Sequence, residues 1–199
     1  MKTVRILYVD DVADQELSKY LDNLKMEDEI EIIYEELRYK PEYGYEQLIR
    51  NNNVWLSNII IIDSYLFNNG TKSMNDITGE EFMIILKKIN PFIEVIIITQ
   101  NELGDEIDFI RKCNGDREEE YFDYYEKVLK KHISYSIRKL KENWILTDRV
   151  INNNVFEKVL REKIENTISG SMVYEQFTKN DIDDLVKAFQ EIKDKLIDE

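Results

Sequence analysis

Four branched apolar residues, Ile59-Ile60-Ile61-Ile62, run straight into Asp63, and this pattern of an apolar run closed by a polar group recurs along the chain. Val4 to Val9 leads into Asp10-Asp11, Val95 to Ile98 into Thr99, and Tyr121 to Glu126 into Lys127. A continuous run of this kind predicts a strand buried on both faces, as in a parallel sheet covered by helices. Between the runs the period changes. Leu17, Tyr20, Leu21 and Leu24 share one face of a helix over 14–24, and Phe82, Ile85, Leu86 and Ile89 share one face of a helix over Gly79–Ile89, closed by Pro91. Glu29 to Tyr34 reads as a partly alternating second strand, Pro41 and Gly44 as a turn, Tyr45 to Ile49 as a short helix, and about Leu103 to Lys112 as a further helix. Strands and helices alternating in this order predict an α/β fold, a doubly wound five-stranded parallel sheet with right-handed crossovers.

From Val128 onward the pattern is helical. Leu129, Ile133, Ile137, Leu140 and Trp144 line one face, Asn152-Asn153-Asn154 interrupts it, and Phe156, Leu160, Ile164 and Ile168 define another helix ended by Gly170. A last helix over about Asp181–Ile197 has Asn180 as N-cap and a short seam of Ile182, Leu185, Phe189, Ile192 and Leu196. The division expected is therefore 1–142 for the sheet domain and 143–199 for a small all-helical extension.

Charge changes the picture more than composition does. The formal net charge is −14, and all of it falls in residues 1–127; residues 128–199 are neutral. Nucleic-acid contact through the acidic part is not expected, because phosphate binding rests on clustered Lys and Arg. No apolar run approaches the roughly 20 residues needed to span a bilayer. The single Cys113 fits a reducing compartment, and a cytoplasmic protein is expected.

In an open α/β sheet, ligands sit at the carboxyl ends of the strands. If the rim assembles, Asp10, Asp11 and Asp63 crowd three carboxylates together, and repulsion raises their pKa values unless a cation neutralises them. Mg²⁺ is the natural cation, since it takes one or two carboxylates and keeps several waters. Lys127 offers an ammonium and Thr99 a hydroxyl to phosphate oxygens. Together these groups suit phosphoryl transfer with a carboxylate as nucleophile.

On these residues the chain resembles the receiver domain of two-component response regulators, a flavodoxin-like fold, over about residues 3–142. Asp10-Asp11 resembles the acidic metal-binding pair, Asp63 the phosphoacceptor, and Gly79 the glycine opening the family's third helix. Thr99 resembles the switch hydroxyl, Lys127 the lysine of the site, and Tyr124 the aromatic switch. The resemblance implies that Asp63 accepts a phosphoryl group from a sensor histidine kinase or phosphotransfer protein, with Mg²⁺ held by Asp10, Asp11, Asp63 and the backbone carbonyl of Tyr65. It implies no turnover enzyme beyond self-phosphorylation and autodephosphorylation. It leaves room for a homodimer through the fourth helix, fifth strand and fifth helix or through the C-terminal helices. The chain departs from the family pattern at Phe67, Gln100 and Val128. Two rival readings follow: a receiver-like scaffold independent of phosphate, and a DNA-binding regulator with a compact helical effector.

Overall fold

The computed structural model describes residues 2–26, 30–67, 77–101, 108–113, 118–153 and 158–169. Five strands form one parallel sheet in the order β2-β1-β3-β4-β5: β1 Lys2–Asp10, β2 Ile30–Arg38, β3 Ile59–Asp63, β4 Glu94–Thr99 and β5 Ile110–Arg111. The helices are α1 Gln15–Asp22, α2 Gly44–Ile49, α3 Asn52–Leu56, α4 Gly79–Ile89, α5 Glu118–Asn153 and α6 Lys158–Ser169. This strand order is that of the flavodoxin-like, doubly wound class, and the fold is the receiver-type arrangement expected, continued by helix.

Both sheet faces are covered, which is why β3 reads as an unbroken apolar run. Ile59 and Ile61 point into a layer shared with Leu17, Tyr20 and Leu21 of α1 and with Tyr125, Leu129, Ile133 and Ile137 of α5. Ile60 and Ile62 point the other way, onto Leu48, Val54, Phe82 and Leu86. The edge strand β2 has no fully buried residue, because its outer flank meets solvent, and it extends to Arg38 in register with Asp10.

Local chemistry fixes where the helices begin. The Asp14 carboxylate accepts from the amides of Glu16 at 3.0 Å and Leu17 at 3.2 Å, capping α1. Thr78 and Glu81 form a reciprocal capping box at the start of α4, with bonds of 3.2 and 2.8 Å. Gly79 is required there for a steric reason: a Cβ would stand 2.7 Å from the Asp63 carbonyl oxygen. The helix thus approaches the end of β3 as closely as backbone allows.

The C-terminal half of the sheet departs from expectation. Tyr121–Lys127, expected as the fifth strand and its lysine, lies inside α5. The physical reason is the spacing of Tyr125, Leu129, Ile133, Ile137, Leu140 and Trp144, all buried in one layer: the apolar stripe is helical and begins one turn earlier than Leu129. The fifth strand is Ile110–Arg111, within the segment expected to end a helix at Lys112. Glu118 to Glu120, expected as loop, open α5, and the helix ends at Asn153, within the expected Asn152–Asn154 break, of which Asn154 lies outside the described residues. The same helix continues past residue 142. Ile151 of α5 and Ile164 of α6 are buried, and the Arg161 guanidinium donates to the Ile151 carbonyl at 3.2 Å. The helix expected at Asp181–Ile197 lies outside the described residues. Among those described, no helix is long and apolar enough to cross a membrane.

Candidate functional site

Three strand ends converge at the carboxyl edge of the sheet. β1 delivers Asp10 and β3 delivers Asp63, adjacent strands in parallel register. β4 pairs with β5 through Thr99 and Arg111, and the Lys112 amide donates to the Thr99 carbonyl at 2.7 Å. Lys112 is therefore the first residue past β5, and its side chain turns into the rim. Its ammonium lies 2.6 Å from Asp10 Oδ2 and 2.9 Å from Asp63 Oδ1. All three side chains are buried, Lys112 at 5% exposure, Asp10 at 1% and Asp63 at 9%.

Each carboxylate oxygen has a donor. Asp10 Oδ2 also accepts the Tyr8 hydroxyl, and Asp10 Oδ1 accepts the Val12 amide at 3.2 Å. Asp63 Oδ2 accepts the Tyr65 amide at 2.8 Å. Burial pushes the Asp10 carboxyl above its ordinary pKa, against the pull of Lys112 and Tyr8. Burial likewise pushes Asp63 up, against Lys112, with the charge of Asp10 adding to the rise. Burial acts on Lys112 in the opposite sense, but hydrogen bonds and charge from Asp10 and Asp63 outweigh it and raise its pKa. The ammonium is therefore held charged between two carboxylates that remain in electrostatic excess.

The remaining expected residues fall into two groups. Thr99 ends β4 at the same rim, fully buried, its hydroxyl accepting the Asn101 amide at 3.1 Å. Asp11 is exposed, with Oδ1 accepting the Val12 amide at 2.9 Å. Tyr65, on the turn after β3, is half-exposed. Lys127 and Tyr124 are not at the rim. Lys127 is an exposed residue of α5, and Tyr124, also on α5, donates its hydroxyl to the Arg111 carbonyl at 2.9 Å. The lysine and aromatic expected there have counterparts at the same mutual offset: Lys112, and Phe109 three residues before it, partly buried against the sheet. The signal was present as Phe-Ile-Arg-Lys, a short apolar step ending in a cation.

The crowd of three carboxylates does not form: among the described residues no group of three or more His, Cys, Asp and Glu is placed to hold a metal ion. Asp10 and Asp63 meet at the Lys112 ammonium, with Asp11 beside Asp10 on the solvent side. That pair still fits Mg²⁺ chemically, since its oxygens are hard donors, two carboxylates suffice, and one ammonium leaves them in negative excess.

Phe67, where the family pattern has proline, is buried against Phe82, ring centroids 5.4 Å apart. Gln100 is exposed beside Thr99. Val128 follows a helical lysine rather than a rim lysine, so the departure noted there falls away; Cys113 follows Lys112.

No protein-family model matches the chain, and no curated protein matches it. Solved structures similar to it include two response regulators. One is a two component transcriptional regulator AraC from Clostridium phytofermentans ISDg, 14% identical, covering 72% of this chain and 98% of that one at a TM-score of 0.37. The other is the two-component response regulator RcsB in complex with DNA, 11% identical, covering 94% and 99% at a TM-score of 0.41. The fold assignment rests on strand order and connection alone.

Proposed function

We propose that this chain is a response-regulator-type module that accepts a phosphoryl group on Asp63. The observation that supports this reading best is the buried Asp10–Lys112–Asp63 bridge at the carboxyl edge of the sheet. An Asp63 carboxylate oxygen attacks the phosphorus of a phosphohistidine or of acetyl phosphate. A P–O bond forms as the bond to the leaving group breaks; the leaving imidazole or acetate takes the electron pair, and the product is an acyl phosphate. Lys112, released from Asp63 Oδ1, then pairs with a phosphoryl oxygen. Thr99 offers its hydroxyl proton to another, and Phe109 takes the part of the aromatic that moves with it. Mg²⁺ would be held by Asp10, Asp63 and the Tyr65 carbonyl, with Asp11 nearby, and when bound supplies positive charge for the phosphoryl oxygens. A sensor histidine kinase or phosphotransfer protein is the partner this chemistry calls for, and a cytoplasmic setting follows from it.

The test is incubation with Mg²⁺ and acetyl phosphate, read by intact mass. One phosphoryl group is gained, and Asp63→Asn abolishes the gain. A second reading has one observation in its favour: every oxygen of Asp10 and Asp63 already has a donor within the protein, so the hydrogen bonding of the site is satisfied from within. On that reading the module is a phosphate-independent scaffold, and the same incubation leaves the mass unchanged at high donor concentration.

A further inference from the structure

Tyr8 carries a polar group where the pattern of β1 calls for an apolar one. Its ring is fully buried in the layer between the sheet and α1 and α5. Its hydroxyl donates to Asp10 Oδ2 and accepts the Asp14 amide at 3.2 Å. A phenol has one proton, and the amide can only donate, so that proton is committed to Asp10.

The contacts continue into a closed ring. The Asp14 carboxylate accepts the Tyr125 hydroxyl at 3.1 Å, and Tyr125 accepts the Cys113 amide at 3.1 Å. Cys113 follows Lys112, whose ammonium returns to Asp10 Oδ2 at 2.6 Å. Asp10 Oδ2 is thus occupied by two donors. Among the described residues, Oδ1 has the longer contact to the amide of Val12, a residue 76% exposed, and Asp11 stands beside it.

We propose that Tyr8 is a positioning residue for Asp10: it holds Oδ2 inward and so presents Oδ1, toward the loop after β1, as the oxygen offered to a divalent cation. The inference rests on the cation-assisted reading of the site above. When Lys112 moves from Asp63 to a phosphoryl oxygen, Tyr8 is the donor that keeps the Asp10 carboxylate in place. Hydrogen-bonded partners behind a metal ligand have effects of about 10–100-fold on affinity when removed.

The test is Tyr8→Phe, which keeps the ring and its packing, with Mg²⁺ binding measured by calorimetry in the absence of phosphodonor. The Kd for Mg²⁺ rises about tenfold or more, and the Mg²⁺ concentration for half-maximal labelling by acetyl phosphate rises in step. At saturating Mg²⁺ the labelling rate stays within about twofold of wild type, because Tyr8 touches no reacting atom. A merely structural role lowers Tm and leaves the Kd of the folded protein unchanged. Should Tyr8→Phe not fold, Tyr8→Met fills the same space with an adaptable apolar side chain that has no donor, and an unchanged Mg²⁺ affinity there overturns the proposal. Wild-type protein that binds Mg²⁺ and is labelled, beside a Tyr8→Phe protein of equal affinity, overturns the role of Tyr8 alone. Wild-type protein that neither binds Mg²⁺ nor is labelled overturns the site reading and this inference with it.

Discussion

Lys112 and Lys127 are chemically the same side chain in two different solvents. Lys112 follows a two-residue strand whose carbonyl and amide groups are tied to β4, so its side chain has one way to turn: into the space between Asp10 and Asp63. Lys127 stands on the outer flank of α5, two residues before the buried Leu129. In the low-dielectric rim a missing ammonium leaves two carboxylates without a counter-charge, whereas on the helix surface water replaces whatever is removed. The contrast teaches that the value of a charge here is set by the element that carries it.

The sharpest way to break that contrast is to remove each ammonium in turn. Lys112→Ala is expected to destabilise the fold by about 3–5 kcal/mol in urea unfolding, the range for taking one partner from a buried pair, and to abolish labelling of Asp63. Lys127→Ala is expected to stay within about 0.5 kcal/mol; a loss there comparable to that of Lys112→Ala would reverse the assignment.

Gly79→Ala comes next. The added Cβ meets backbone rather than a side chain that can swing away, and overpacking of that kind costs about 1–3 kcal/mol. Thermal unfolding reads it directly, and an unchanged Tm would mean that α4 is not pressed against β3.

The pH dependence of Asp63→Asn is a smaller effect with a definite sign. A carboxyl whose folded pKa lies above its unfolded value adds stability that is full below the unfolded value, near 3.9, and is lost as pH rises through the folded one. Asp63 is raised in this way, chiefly by burial. The asparagine variant is therefore more stable than wild type at pH 7–8, and the gap narrows toward pH 4. A gap that widens on acidification contradicts a raised Asp63.

Tyr124→Phe is a modest change. It deletes one half-exposed hydrogen bond between α5 and β5, and about 0.5–1.5 kcal/mol is expected. A larger loss would mean that the two-residue strand depends on the helix beside it.

The strands with apolar residues facing both covering layers were legible. Ile59–Ile62 needs four consecutive buried positions, and no other arrangement supplies them. Asp10, Asp63 and Thr99 were legible with them, because a polar residue closing such a run has only the rim to occupy. The fifth strand was not. Ile110 is its one buried residue, so it leaves almost no hydrophobic trace. The aromatic run Tyr121–Tyr125 has strong strand propensity, yet its buried member, Tyr125, belongs to a period carried by Leu129 and Ile133. Packing across two segments, not local preference, decides such a case. Asp11 shows the converse limit: it follows the last residue of β1 and is exposed, although its Oδ1 shares the Val12 amide with Asp10.

An unbroken 36-residue helix is a rod about 54 Å long. Its first half is clamped across the sheet, and its far end meets α6, with no hinge between. A tilt of about 5° at the clamp therefore sweeps a point ~30 Å along the axis sideways by roughly 2.6 Å, since a helix of fixed 1.5 Å rise transmits rotation without absorbing it. The Cys113–Tyr125 bond attaches that clamp one residue from Lys112, so a rim shift that tilted the helix would arrive enlarged where the helical extension begins.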